Sequence, residues 1–253
     1  MNELGRIDMN TNEYVLTVGG IPVAVHRNMD EAVSSVFSQS DGTVIPGFGI
    51  AINPEKVMKA RADPKVMEVL LSATLRFADG IGVVWALRKK GAKQAARIPG
   101  CEFWMALMQK VGQVNQPVFL VGAKLEILNQ VKAKLVCEWG VQVVGMQDGF
   151  FKDFQQDALI ERIKASGTKI VTVAMGSPRQ ELFISQCRKS YPDAFYMGVG
   201  GTYDVFTGNV KRAPEWACKL NVEWLYRLAS NPSRFFRQVV LLKYLALLLT
   251  RRI

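Results

Sequence analysis

The sequence holds one histidine, His26, and four scattered cysteines, and after Glu223 it has no acidic residue in its last thirty positions. A lone histidine argues against histidine-based catalytic triads and against metal sites built from several imidazoles. Its place ahead of the first expected helix reads as a surface or hairpin position, with a titratable switch as the alternative. Cys101, Cys137, Cys187 and Cys218 lie thirty or more residues apart, which excludes CxxC metal or redox motifs and supplies no disulfide framework. Free thiols in a reducing cytoplasm are expected.

Several phosphate-binding signatures are also missing. There is no GxxxxGK[ST] loop, and Trp85 stands where the dinucleotide fingerprint begun by Gly80 and Gly82 needs its third glycine. No Asp-x-Asp pair is present to hold a divalent ion on a nucleotide diphosphate. If a diphosphate binds, arginine, lysine and backbone N–H groups must neutralise it. Long apolar runs are lacking too. The segment 235–249 has fifteen residues and includes Arg237, Gln238 and Lys243, whereas a span needs about twenty mostly apolar ones. It is expected to lie on a membrane surface rather than cross it. The polar opening MNELGRIDMNTNE has neither an apolar core nor a cleavage site, so no secretory leader is expected.

What is present is a 253-residue chain with 49% hydrophobic and 21% charged residues, enough for one large folded domain with or without an appendage. Its formal charge of +10 is lopsided: 209–253 carries nine Lys/Arg against Glu215 and Glu223, a net +7. Arg227, Arg234, Arg237, Lys243, Arg251 and Arg252 alternate there with Leu, Val, Phe and Tyr, the pattern of an element that docks on an anionic surface or grips phosphate. Asn231-Pro232 reads as a helix cap followed by proline at the first helical position.

Short apolar runs alternate with longer helical segments, which predicts an α/β fold, Rossmann-like, with a largely parallel sheet and flanking helices. Expected strands are 14–18, 43–52, 117–121, 141–146, 169–174 and 194–199. Expected helices are 28–38, 54–60, 64–73, 82–90, 102–111, 125–138, 154–166, 179–190, 213–229 and 232–249. A flexible segment over 1–12, an α/β body over 13–210 and a basic helical appendage over 211–253 complete the organisation.

In such sheets ligands sit beyond the carboxyl ends of the strands. Five turns there are rich in glycine or polar groups: 51–55, 77–82, 121–124, 174–181 and 198–204. With histidine unavailable, a transfer reaction needing a base must use a carboxylate, and Asp79, after the apolar stretch ending at Ala78, is the best placed. Its alternative role is a helix N-cap. Asn53, Arg97 and Gln180 occupy loops where polar groups can orient a hydroxylated substrate, or serve as caps and surface residues.

Taken in order, these turns resemble the WecG/TagA/CpsF family of glycosyltransferases. The shared residues are AINPEK at 51–56, FADGIGVV at 77–84, ARIPG at 96–100, VFLVG at 118–122, GSPRQE at 176–181, GVGGTYDVFTG at 198–208, and KRAP through EWLYRL at 211–228. QDGFFK at 147–152 and IVTVAMGSP at 170–178 resemble most the branch that builds enterobacterial common antigen. The resemblance implies a metal-independent, inverting transferase with no cofactor. It would move N-acetyl-D-mannosaminuronic acid from its UDP donor to N-acetylglucosaminyl-diphospho-undecaprenol at the cytoplasmic face of the inner membrane.

By the same carry-over Asp79 is the base, and Asn53, Arg97 and Gln180 hold the sugars. Gly122, Gly176, Gly200 and Gly201 bind the nucleotide, and Arg227, Arg234 and Arg237 clamp the diphosphate. Arg97, Arg179 and Lys56 are the candidates for reading the uronate carboxylate. Teichoic-acid members have Thr where Ala51 stands, so donor recognition does not transfer from that branch. The partners implied are a UDP-sugar, a polyprenyl-diphosphate-linked sugar acceptor and an anionic membrane surface, but no nucleic acid; a homo-oligomer stays open. The other readings are an N-acetylmannosaminyltransferase of the teichoic-acid type and a non-catalytic module binding anionic lipid.

Overall fold

The computed structural model describes residues 6–8, 13–210, 214, 235–250 and 253. Nine described strands form one sheet: β1 (Arg6–Asp8), β2 (Glu13–Val18), β3 (Ile21–Ala24), β4 (Gly47–Ile52), β5 (Leu75–Ala78), β6 (Val118–Gly122), β7 (Val143–Gln147), β8 (Ile170–Ala174) and β9 (Phe195–Gly198). Their order is β1-β2-β3-β5-β4-β9-β8-β6-β7. The pairs β1–β2 and β2–β3 are antiparallel, and every pairing from β3 to β7 is parallel. The fold is α/β and Rossmann-like, as the alternation of apolar runs predicts.

Helices cover both faces. They are α1 (Met29–Ser34), α2 (Pro54–Ala62), α3 (Pro64–Leu71), α4 (Ile81–Lys89), α5 (Gly100–Gln113), α6 (Leu125–Trp139), α7 (Gln156–Ala165), α8 (Arg179–Ser190), α9 (Thr202–Phe206) and α10 (Phe235–Leu249). Residues of α2, α3, α4, α7, α8 and α10 share one buried cluster with Phe48, Ile50, Ile52, Val121 and Val173. Residues of α1, α5, α6 and α9 share the other with Leu75, Phe77, Leu120 and Met197. Strand side chains thus feed alternate faces, and a parallel sheet buried on both sides reads as unbroken apolar runs.

Local chemistry explains the joints. Asn53 and Asp63 each precede a proline, and their side chains accept from Lys56 N and Lys65 N at 2.9 Å, starting α2 and α3. Arg76 is buried and donates from Nε to Pro22 O at 2.6 Å and from Nη1 to Leu71 O and Ala73 O, satisfying carbonyls orphaned at the end of α3. Gly19 and Gly20, at φ +61° and +89°, form the two-residue hairpin between β2 and β3.

Departures from expectation have equally local causes. The strand over 43–52 begins only at Gly47, after Pro46, and the earlier part contributes a single bridge between Val44 and Phe37. That bridge also ends α1 at Ser34, because Phe37 leaves the helix to pair. β3 is not among the expected strands, because Pro22 interrupts its apolar run. His26 is buried rather than on the surface, with Nε2 3.2 Å from Ser35 Oγ.

Among the described residues no helix is long and apolar enough to cross a membrane. The helix expected at 213–229 lies outside the described residues. The described part of the basic tail, α10, packs on α2 and α4, and Tyr244, Leu248 and Ile253 join the core on that face. Leu242, Leu245 and Leu249 face solvent from the opposite side.

Candidate active site

Parallel pairing brings the five polar turns to one edge of the sheet. Along that edge stand Asp79 after β5, Asn53 after β4, Gly200 and Gly201 after β9, Gly176 after β8, and Ala123 after β6. With strands about 4.8 Å apart, the Asp79 and Gly200 turns are separated by roughly 10 Å, while Gly122 lies roughly 19 Å from Asp79.

Asp79 N donates to Ile52 O at 2.9 Å, so the turn after β5 is tied to the end of β4. Gly80, not Asp79, is the N-cap of α4, and it makes no side-chain cap bond. Asp79 is therefore the residue before the cap of α4. A Cβ at Gly80 would press on Pro54 and Asn53, which is how closely the two turns approach. Arg97 arrives on the loop between α4 and α5, which runs beside β5 through the bond from Ile98 N to Ala78 O at 2.8 Å. Its Nε donates to Asp79 O at 2.6 Å, and its Nη2 lies 4.0 Å from Asp79 Oδ1. The side chains are 19% and 27% exposed, so both remain reachable by a ligand. Asn53 sits one strand away with its Oδ1 engaged in capping α2.

The turn after β9 has a different construction. Gly200, at φ +53°, donates its N–H to Gln180 Oε1 at 3.0 Å. Gln180 is buried beneath the turn, and a Cβ at Gly198 would collide with its Nε2. Among the described residues a Cβ at Gly176, Gly200 or Gly201 would meet nothing within 4 Å. α9 then anchors the far end, since Tyr203 OH lies 2.6 Å from Thr172 Oγ1 and Trp104 packs on both Tyr203 and Phe206. With respect to the described residues the glycine turn is open on one side, the shape a phosphate or sugar can approach closely. Gly122 differs, because a Cβ there would collide with the backbone of Ala174; its glycine is required by the close passage of two strand ends.

Gln180 Nε2 donates to Glu181 Oε1 at 3.2 Å, and Lys56 Nζ donates to the same oxygen at 3.3 Å. Glu181 is 2% exposed, and its Oε2 has no hydrogen-bond partner among the described residues. Leaving such an atom unpaired costs about 1–3 kcal/mol or more. In the sequence Glu181 appears only as the last residue of the polar turn 174–181 and of the GSPRQE motif, with no role attached. Of the residues proposed to read a uronate, Lys56 is thus paired internally, and Arg179 donates to Phe151 O at 3.3 Å.

Arg227 and Arg234 lie outside the described residues; Arg237 falls within α10, and its side chain is outside the description. Among the described residues no group of three or more His, Cys, Asp or Glu could hold a metal ion. The sequence model of the glycosyl transferase WecG/TagA/CpsF family matches residues 16–253. The chain belongs to that family and is a glycosyltransferase of its type.

Proposed function

We propose that this member of the WecG/TagA/CpsF family is an inverting, metal-independent hexosyltransferase of the WecG branch. It moves N-acetyl-D-mannosaminuronic acid from UDP to N-acetylglucosaminyl-diphospho-undecaprenol in enterobacterial common antigen synthesis. The single observation that carries the reading is the Asp79 carboxylate, 27% exposed, flanked by Arg97, and about two strand spacings from the Gly200–Gly201 turn.

In this reading the acceptor hydroxyl gives its proton to the Asp79 carboxylate while its oxygen bonds to the anomeric carbon from the face opposite the nucleotide. The bond from that carbon to the β-phosphate oxygen breaks, and UDP leaves with the electron pair. One displacement inverts the configuration, and one general base suffices. Arg97, Asn53 and Gln180 serve the sugars, directly or by fixing the turns that do. Gly176, Gly200 and Gly201 receive the nucleotide, and Gly122 keeps the neighbouring crevice in shape. Arg227, Arg234 and Arg237 neutralise the charge that grows on the diphosphate.

Membrane docking is part of the proposal. Leu242, Leu245 and Leu249 with Lys243 give α10 an exposed apolar face carrying a positive charge, the composition of a helix lying at the interface of the inner membrane's cytoplasmic leaflet. The deciding experiment offers a panel of UDP-sugars and the lipid-linked acceptor to the full chain, with and without EDTA. Transfer confined to N-acetylmannosamine would move the chain to the teichoic-acid type of donor, and loss of transfer in EDTA would refute metal independence.

A further inference from the structure

The amide of Gln180 has two ends of equal size and opposite polarity, and only one orientation fits its surroundings. Its Oε1 accepts from Gly200 N at 3.0 Å, and its Nε2 donates to Glu181 Oε1 at 3.2 Å. Rotating the amide by half a turn would set its NH2 against the Gly200 N–H and its oxygen against a carboxylate, so both contacts would become repulsive. At one end the Gly200 N–H selects the oxygen, and the absence of a Cβ at Gly198 leaves the room that Nε2 occupies at the other.

At the Nε2 end the selection falls to the Glu181 carboxylate, which accepts from it and is ion-paired with Lys56. Glu181 is buried, and Lys56 Nζ, 3.3 Å away, reaches it from the first turn of α2. Lys56 N is itself bonded to the Asn53 side chain at 2.9 Å. A chain of polar contacts therefore runs from the Asn53 turn, beside Asp79, through Lys56, Glu181 and Gln180 to Gly200. The structure assigns to Glu181, supported by Lys56, the role of positioning residue: it fixes the polarity of the Gln180 amide and so holds the Gly200 turn in the conformation that receives the donor nucleotide. The last clause rests on the proposed function, but the polarity of the amide and the order of the turn do not.

The test compares Glu181→Gln, Lys56→Met and the exchange Gln180→Glu/Glu181→Gln. The exchange puts an acceptor-only group opposite Gly200 and a donor opposite it at 181, restoring the pattern with the charge moved by one residue. Two readouts are taken: hydrogen exchange of the Gly200 amide against β4 amides as a global control, and UDP affinity by calorimetry. Glu181→Gln and Lys56→Met should each speed Gly200 exchange about tenfold while β4 amides stay protected, consistent with loss of a charge-assisted hydrogen bond. UDP binding should weaken by a similar factor, about tenfold, and the exchange variant should bring Gly200 protection back within about threefold of the starting protein.

Unchanged Gly200 exchange in a folded Glu181→Gln protein overturns the inference, as does an equal rise in Gly200 and β4 exchange. If Glu181→Gln does not fold, the same comparison is decided by Lys56→Met and the exchange variant. Failure of the unaltered protein to bind UDP would count against the proposed function alone, because the exchange readout needs no nucleotide.

Discussion

Tyr244 OH, on the terminal helix, donates a 3.1 Å hydrogen bond to the carbonyl of Gly82, in the first turn of the helix that follows Asp79. The contact is buried, and burial raises the Tyr244 pKa above the ordinary phenol value. A Cβ at Gly82 would stand 2.9 Å from Pro54 Cγ and 3.1 Å from Tyr244 Cε1. The described part of the basic tail is therefore joined to the helix that follows Asp79 through a packed core.

Tyr244→Phe should cost about 0.5–1.5 kcal/mol of stability, the net worth of one hydrogen bond. Gly82→Ala should cost more, about 1–3 kcal/mol, because the added methyl must displace Pro54 or Tyr244. Urea unfolding measures both. A chain cut before α10 should melt lower than either, since Tyr244, Leu248 and Ile253 leave the core together. Truncation thus removes fold support along with any membrane or phosphate contact, and point changes on the outer face are needed to separate them.

Asp79→Asn should keep the fold and lower transfer by about 10²–10⁴, the usual contribution of a positioned base. Thermal melting beside a product assay checks this. Full activity would remove Asp79 from the reaction.

Arg97→Lys should not rescue what Arg97→Ala loses. Arg97 uses Nε on the Asp79 carbonyl while Nη2 faces the carboxylate, and a single ammonium cannot reproduce that fork. Both variants should lose about tenfold or more in kcat/KM, on the scale of a hydrogen bond to a charged group.

Leu242→Glu with Leu249→Glu should weaken binding to vesicles containing anionic lipid without changing the melting temperature by more than a few degrees, because both side chains are exposed, at 67% and 68%. Vesicle flotation and a thermal melt in parallel read the two effects. Unaltered flotation would place the membrane contact elsewhere.

Burial pushes the Cys187 thiol up from 9.0 to about 12. At pH 8 a thiol reagent should label exposed Cys137 rapidly and leave Cys187 untouched until denaturant is added, as mass spectrometry can show. The folded-state pKa is the higher one, so this group's contribution to stability is complete below about pH 9 and is lost as pH rises toward about 12. Cys187→Ala should flatten that alkaline decline.

The turns that frame the candidate site were legible in the chain because their signals are local. Asn53-Pro54 and Asp63-Pro64 specify helix starts within a few residues, the glycine turns mark strand ends, and the alternation of apolar runs specifies an α/β sheet. The scarcity of histidine and the absence of acidic residues from the tail narrowed the chemistry before any fold was drawn. Tertiary structure alone decided the joins between distant segments: Arg97 to Asp79 across 18 positions, Gln180 to Gly200 across 20, Lys56 to Glu181 across 125, and Tyr244 to Gly82 across 162. Such pairs have no shared sequence window, and a polar side chain reads the same whether it faces solvent or a buried partner. Only the order in which parallel strands pair, β5-β4-β9-β8-β6, determines which turns become neighbours and which of those side chains is held beneath a turn rather than left above it.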